Sequence, residues 1–283
     1  MEPVLERERP DVLLVEGDTN SVLASALTAQ KLGVAVGHVE AGLRSYDRTM
    51  PEEINRILTD HLSEYLFAPT RHSREILLGE GVAESRIHVT GNTVVDEVLR
   101  QRERARDPGV LARFGVTSGR FALATVHRAE NTDHEPRLRG IFDGLARSGR
   151  ELGVPVLCAL HPRTAQRLAS FGVSLDGAVR ALPPLGYLEF LALHAEAALM
   201  LTDSGGLQEE ACCLGVPCVT LRDNTERPES VEVGANVLAG ADPDRIVESA
   251  KAMRERRGGW TNPFGDGTSG ERIVDILVGA LAR

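Results

Sequence analysis

Short, largely apolar runs bounded by turn residues recur along this chain: Val12–Val15, Val34–Val39, Tyr65–Ala68, Ile87–Thr90, Phe121–Thr125, Val154–Leu160, Ala198–Thr202 and Cys218–Leu221. Stretches with helical patterning lie between most of them. Strand-length runs alternating with helices predict parallel sheets joined by crossover helices, an α/β class. The runs are continuous rather than alternating, which predicts strands covered on both faces. Ser21–Leu32 reads as a helix ended by Gly33, and Pro51–Leu62 opens with Pro and two Glu, the chemistry of a helix start. A last helix, Ser269–Ala282, follows the turn cluster Asn262-Pro-Phe-Gly-Asp-Gly.

At 283 residues the chain has room for two lobes. Arg104–Arg120, rich in charge, Gly and Pro, is the expected linker. The expected organisation is a first lobe over 1–104, a linker over 105–120, a second lobe over 121–266 and a C-terminal segment over 267–283 that packs back towards the first lobe. Only 4% of residues are aromatic, so Leu, Val and Ala must fill the core. A net charge of −9 argues against a nucleic-acid or anionic-membrane surface, without excluding a local anion pocket built from backbone N–H groups. No apolar run reaches membrane-spanning length. Cys158, Cys212, Cys213 and Cys218 form no C-x-x-C pair, so no metal site is expected, and reduced thiols in a cytoplasmic protein are.

Four segments carry candidate chemistry. Thr202-Asp-Ser-Gly-Gly-Leu-Gln-Glu-Glu places Ser204, Gly205 and Gly206 at a strand-to-helix turn, where bare backbone and a helix N-terminus suit a diphosphate. Glu210, one turn further on, suits ribose hydroxyls. Glu16-Gly-Asp-Thr puts Asp18 just beyond a strand end, the edge where open α/β sheets bind ligands. His38-Val-Glu-Ala-Gly-Leu-Arg and Pro51-Glu-Glu-Ile-Asn-Arg place Glu40 at another strand end and Glu52 in a first helical turn. Asp18, Glu40 and Glu52 are expected to converge on one rim, a grouping suited to acid/base work. His127-Arg-Ala-Glu-Asn sets His127 and Arg128 at the end of the second lobe's first strand. Each segment also has a plain structural explanation: a helix cap for Asp18 and Ser204, an i,i+4 pair with Arg56 for Glu52, a capping or surface role for His127. His161-Pro-Arg-Thr and the loop carrying Arg222, Glu226 and Arg227 are weaker cases. No G-x-G-x-x-G follows the first strand and no P-loop is present.

Together with Thr90-Gly-Asn-Thr-Val-Val-Asp and Thr225-Glu-Arg-Pro-Glu, these segments occur in one order from residue 16 to 267. In that order the chain resembles the non-hydrolysing UDP-N-acetylglucosamine 2-epimerases. The resemblance implies a GT-B-like fold of two Rossmann-like lobes with parallel sheets. It implies elimination of UDP across C1–C2 of the sugar and re-addition after C2 presents its other face, without a cofactor. Asp18, Glu40 and Glu52 fall on the family's catalytic carboxylates, and His127 on the position near the leaving UDP. Ser204, Gly205, Gly206, Glu210 and Arg227 fall on its UDP contacts. A cytoplasmic homodimer serving cell-surface polysaccharide synthesis, bound to neither membrane nor nucleic acid, is likewise the family expectation.

The sequence departs from the family at Glu16, where His is common. It also opens about where a later strand of the first lobe begins, so the first lobe is expected to be incomplete and the N-terminus truncated. Alternatives are an epimerase of a modified UDP-N-acetylhexosamine, a hydrolysing 2-epimerase, a retaining glycosyltransferase, and a non-catalytic UDP-sugar-binding remnant.

Overall fold

The structure is a computed structural model describing residues 1–106, 109–256 and 258–282. Residues 107 and 108 of the expected linker, and Arg283 of the C-terminal segment, lie outside the described residues. The chain divides into two compact units: residues 1–97 with 263–283, and residues 98–262.

The first unit holds α1 (Glu2–Glu8), β1 (Val12–Glu16), α2 (Asn20–Lys31), β2 (Ala35–Val39), α3 (Pro51–Leu62), β3 (Tyr65–Ala68), α4 (Arg71–Gly79), β4 (Ile87–Val89) and the start of α5 (Thr93–Arg102). Its sheet is all parallel, in the order β1-β2-β3-β4. Each tight crossover uses local chemistry. Thr19 caps α2 by accepting from the Val22 N–H, Thr70 caps α4 by accepting from the Ser73 N–H, and Pro51 opens α3 where no N–H is needed. β2 and β3 are buried, as continuous apolar runs predict. β1 is not: only Val15 is buried and Leu14 is 45% exposed. The expectation of two covered faces fails there because β1 is an edge strand. The last helix of the chain belongs to this unit, where Ile273 and Leu277 pack on Val39 and Phe67.

The second unit holds α6 (Val110–Arg113), β5 (Ala122–Thr125), α7 (Ala129–Thr132), α8 (Glu135–Leu152), β6 (Val156–Ala159), α9 (Pro162–Ser170), β7 (Val179–Leu182), α10 (Tyr187–Glu196), β8 (Leu199–Thr202), α11 (Gly205–Leu214), β9 (Cys218–Thr220), α12 (Pro228–Glu232), β10 (Asn236–Leu238) and α13 (Pro243–Arg254). The final helix of the chain, in the first unit, is then α14 (Ser269–Leu281). The second sheet is parallel in the order β10-β9-β8-β5-β6-β7. The chain winds outward from β5 to β7, then returns to β8 on the other side of β5. That reversal creates a switch point between β5 and β8, where ligands bind beyond the carboxyl ends of strands. The core is aliphatic, with Leu138, Ile141 and Leu145 of α8 and Ile246 and Ala250 of α13 buried against the strands. Gly144 lets the two helices approach, since a Cβ there would sit 2.8 Å from Ile246 Cδ1.

Described parts of the expected linker belong to this second unit. Ala105 and Val110 are buried, Arg113 donates to Glu189, and the Gly119 N–H donates to Glu196 O. Composition suggests a linker because charged residues and glycines, Arg106, Gly109, Arg113 and Gly115 among them, occupy exposed positions between these anchors. Among the described residues no helix is long and apolar enough to cross a membrane.

Candidate active site

In the first unit the strand ends gather acidic groups. Gly17 follows β1 with φ +80°, a turn that swings Asp18 clear of the strand. The Asp18 carboxylate accepts from Arg56 Nε at 3.0 Å and lies 2.8 Å from Arg56 Nη2. Arg56 sits on α3 and is itself buried, its Nη1 donating to Glu53 at 2.5 Å. Glu40 follows β2 in left-handed backbone, φ +71°, a conformation costing about 1–3 kcal/mol for a residue with a Cβ. Asn92 Nδ2 donates to its Oε1 at 2.8 Å, and a Cβ on Gly17 would lie 3.4 Å from its Oε2. Glu52 is half-buried in the first turn of α3, one turn before Arg56. Asp18 and Glu40 are thus brought together beyond β1 and β2, with Arg56 and Asn92 as unforeseen holders, and Glu52 stands on α3, the helix that holds Asp18.

Glu53, the other acid of that turn, is wholly engaged elsewhere. It accepts from the Ser45 N–H and Oγ, from the Tyr46 N–H and from Arg56, and so fixes the loop after β2. A pairing role with Arg56 thus belongs to Glu53.

In the second unit the switch point is built around a residue without a predicted role. Asp203 follows β8 and is fully buried. It accepts from the His127 and Arg128 N–H groups, from Asn131 Nδ2 at 3.1 Å and from His127 Nδ1 at 3.0 Å. Burial opposes its charge, but His127 and these donors outweigh it and hold its carboxyl below the usual carboxylate range. Nδ1 must carry a proton to face a carboxylate, so Nε2 of His127 is the nitrogen left for a ligand. The His127 side chain is 41% exposed. Thr125 and Thr202, the last residues of β5 and β8, share a 2.6 Å hydroxyl hydrogen bond that closes the switch point behind the pair.

Ser204 precedes α11 with extended backbone and makes no side-chain cap, leaving the first N–H groups of this ten-residue helix open to an anion. The two glycines differ. A Cβ on Gly205 would lie 2.7 Å from Arg227 Nη1, whereas one on Gly206 would meet nothing within 4 Å. Arg227 is buried over Gly205 and pairs with Glu209 at 3.2 Å. Glu210 is 8% exposed, and its Oε2 has no hydrogen-bond partner. His194 Nδ1, itself without a partner, is 3.6 Å away. A buried carboxylate oxygen left open is a strong sign of a hydroxyl donor from outside the chain.

The remaining candidates are structural. His161 caps α9 by accepting from the Arg163 N–H. Arg222 is fully buried and held by Glu226 at 2.7 Å and Glu130 at 3.2 Å, a packed ion cluster. Burial pushes the Cys158, Cys212 and Cys218 thiols up to about 12 and Cys213 to about 11, which makes all four poor ligands and nucleophiles.

A family model described as UDP-N-acetylglucosamine 2-epimerase matches residues 1–278. A relative from Methanocaldococcus jannaschii, a UDP-N-acetylglucosamine 2-epimerase, is 51% identical over 98% of this chain and 78% of its own length. A Pseudomonas aeruginosa relative, a UDP-2,3-diacetamido-2,3-dideoxy-D-glucuronate 2-epimerase, is 45% identical over 98% of this chain and 77% of its own. The crystal structure of the M. jannaschii epimerase with UDP-GlcNAc and UDP superposes with a TM-score of 0.92, covering 98% of this chain and 78% of that one. The expected fold class holds. These matches do not bear out the expected N-terminal truncation.

Proposed function

The chain belongs to the UDP-N-acetylglucosamine 2-epimerase family, and from that premise we propose that it interconverts UDP-N-acetylglucosamine and UDP-N-acetylmannosamine by inverting C2. The observation that carries this reading is the acidic rim of the first unit: Asp18, Glu40 and Glu52 at successive strand and helix ends, with Glu40 held in a strained backbone. Inversion at C2 needs a group to remove the proton on one face and a group to return it on the other. Two half-buried carboxylates of unequal surroundings suit those two tasks.

The second unit supplies the nucleotide site. The open N–H groups at Gly205 and Gly206, with the Ser204 hydroxyl beside them, take the diphosphate, and the Glu210 Oε2 takes a ribose hydroxyl; the Ser204 N–H is spent on Thr202 Oγ1 at 3.0 Å. As the C2 proton leaves to a carboxylate, its electron pair forms the C1–C2 double bond and the C1–O bond breaks towards UDP. His127, as an imidazolium whose Nδ1–H is committed to Asp203, donates from Nε2 to the phosphate oxygen that gathers the charge. UDP then adds back to C1 while a carboxylate delivers a proton to the opposite face of C2. The Pseudomonas relative supports a second reading, a 2-epimerase of a more heavily modified UDP sugar.

Incubation with UDP-N-acetylglucosamine in deuterated water, followed by proton NMR, tests the proposal. The expected result is deuterium at C2 and appearance of UDP-N-acetylmannosamine. Free N-acetylmannosamine and UDP would mark a hydrolysing enzyme, and binding of UDP without exchange would retire the catalytic reading. Exchange only with the diacetamido uronate would select the second substrate.

A further inference from the structure

Beneath the acidic rim lies a buried charge cluster that the proposed chemistry does not use. His38, on β2, is fully buried. Its Nδ1 is 2.6 Å from Asp60 Oδ1, on α3, and its Nε2 is 2.9 Å from the Gly17 carbonyl oxygen. Both partners are acceptors, so a ring that makes both bonds must donate from both nitrogens. A proton on Asp60 would relax that demand, but Asp60 Oδ2 already accepts from the Gly42 N–H at 3.2 Å and lies 2.7 Å from Arg44 Nη2. Arg44 in turn grips Glu80, beyond α4, through Nε and Nη2 at 2.8 and 2.6 Å. Two cations and two anions balance, which is the condition for burying charge at tolerable cost. Glu40 adds attraction from the end of β2, and His61 lies 4.0 Å from Glu80 at the outer edge.

We propose that His38 is a positioning residue: as an imidazolium it pins the Gly17 carbonyl and so fixes the turn that aims Asp18. The role rests on the epimerase reading, since the group positioned is one of its proposed carboxylates. Gly17 is the residue before Asp18 and sits in a conformation that has no side-chain anchor of its own. Its carbonyl is held by the ring, the Asp18 side chain by Arg56 and the Asp18 carbonyl by Asn55 Nδ2 at 2.9 Å, so α3 fixes the turn three times, and the ring's hold alone is set by a titrating proton. Burial opposes the charge on His38, but Asp60 outweighs it and the ring titrates above its ordinary range. Deprotonation removes one of the two N–H donors. The neutral ring keeps its bond to Asp60 or to Gly17, and the strong partner, Asp60, keeps the proton. The Gly17 tether is then lost and Asp18 loosens.

Two readouts test this. The first needs no sugar nucleotide: ring-nitrogen NMR of histidine-labelled protein across neutral and alkaline pH. One histidine is expected to carry protons on both nitrogens, protected from solvent, at pH values above the ordinary histidine range. A single neutral tautomer at neutral pH overturns the proposal. The second is turnover. kcat is expected to fall as this ring deprotonates while KM changes less than about twofold, and His38→Gln to lose about 10²-fold in kcat, the scale of a small misplacement at a reacting centre, with UDP affinity and KM retained. A His38→Gln enzyme with unchanged kcat, or a kcat indifferent to the ring's titration, overturns it. If His38→Gln does not fold, the wild-type ring titration decides. If the wild type turns over no UDP sugar, the epimerase reading fails, and with it the positioning role, even where the ring proves doubly protonated.

Discussion

Each unit contains one buried aspartate bound to a histidine at a strand end, and the two pairs are put to different use. Asp60 and Asp203 are both fully buried. Both are held below the usual carboxylate range against the cost of burial, Asp60 by His38 and Arg44, Asp203 by His127 and backbone donors. The histidines differ. His38 is fully buried with both nitrogens committed to the chain, whereas His127 is 41% exposed and commits only Nδ1. The same pair of side chains makes a structural tether where the second nitrogen meets a carbonyl, and leaves a nitrogen open to a ligand where it meets solvent. Role follows from what is left unsatisfied, and that is a property of tertiary surroundings.

Asp18→Asn is the largest expected effect. It keeps an oxygen for Arg56 but removes the proposed base or acid, so kcat should fall by about 10²–10⁴-fold while UDP binding, which we propose for the second unit, is retained. Isothermal titration with UDP beside the deuterium-exchange assay checks both. Equal loss of the two would make Asp18 a structural partner of Arg56.

Asp203→Asn probes the other half. The amide can replace only one carboxylate oxygen as an acceptor, so its NH₂ must face one of the four donors now bound there. Facing His127 Nδ1, it accepts no proton there, so the ring is left neutral with its one proton on Nε2 and loses the charge that would meet the phosphate. kcat should fall about 10²-fold with a smaller change in UDP affinity. Stability gives an independent sign. The native pKa of Asp203 is lowered from 3.8, so its contribution is present above that value and lost as pH falls through the native one. The variant should lose that part of the acid dependence. An unchanged acid unfolding curve would mean the carboxylate is not the charge holding β5 to β8.

Glu210→Ala should weaken UDP binding about tenfold to a hundredfold, the worth of one hydrogen bond to a charged group at about 1.5–3 kcal/mol. Because Oε2 has no hydrogen-bond partner among the described residues and only a 3.6 Å approach to His194 Nδ1, removing it should cost little stability. A drop in Tm with unchanged UDP affinity would reassign Glu210 to His194.

Local chemistry made much of the fold legible. α3 and β3 begin and end where Pro51, the paired acids and the apolar run Tyr65–Ala68 predict. β7 and β10 were not legible, because edge strands of four and three residues carry little apolar pattern: two of the four residues of β7 are exposed. α1 is a charged helix with one buried residue, Leu5, and its stretch reads as charge alone. Of the site, the residues inside motifs could be read, and their partners could not. Asp203 looks like a helix cap until His127, 76 residues earlier, is folded onto it. His38 stands at the head of a motif yet acquires meaning only from Asp60, 22 residues on, and from the carbonyl of Gly17. Sequence shows which groups are available; the topology of the sheets decides which are paired.

Gly205 and Gly206 test that distinction at the smallest scale. They are neighbours, both read from sequence as backbone kept bare for a diphosphate. The structure gives them separate reasons. Gly205 is bare because the Arg227 guanidinium lies over it, so Gly205→Ala must displace a buried ion pair and should lower Tm whether or not UDP binds. Gly206 faces open space within the chain, and Ala suits a helix better than Gly by roughly 0.5–1 kcal/mol. Gly206→Ala should therefore leave the fold intact or slightly stabilised. If the diphosphate occupies that space, the added methyl group will weaken UDP binding in a protein of undiminished Tm. Undiminished affinity would place the phosphates elsewhere and leave Gly206 as a residue tolerated, not required.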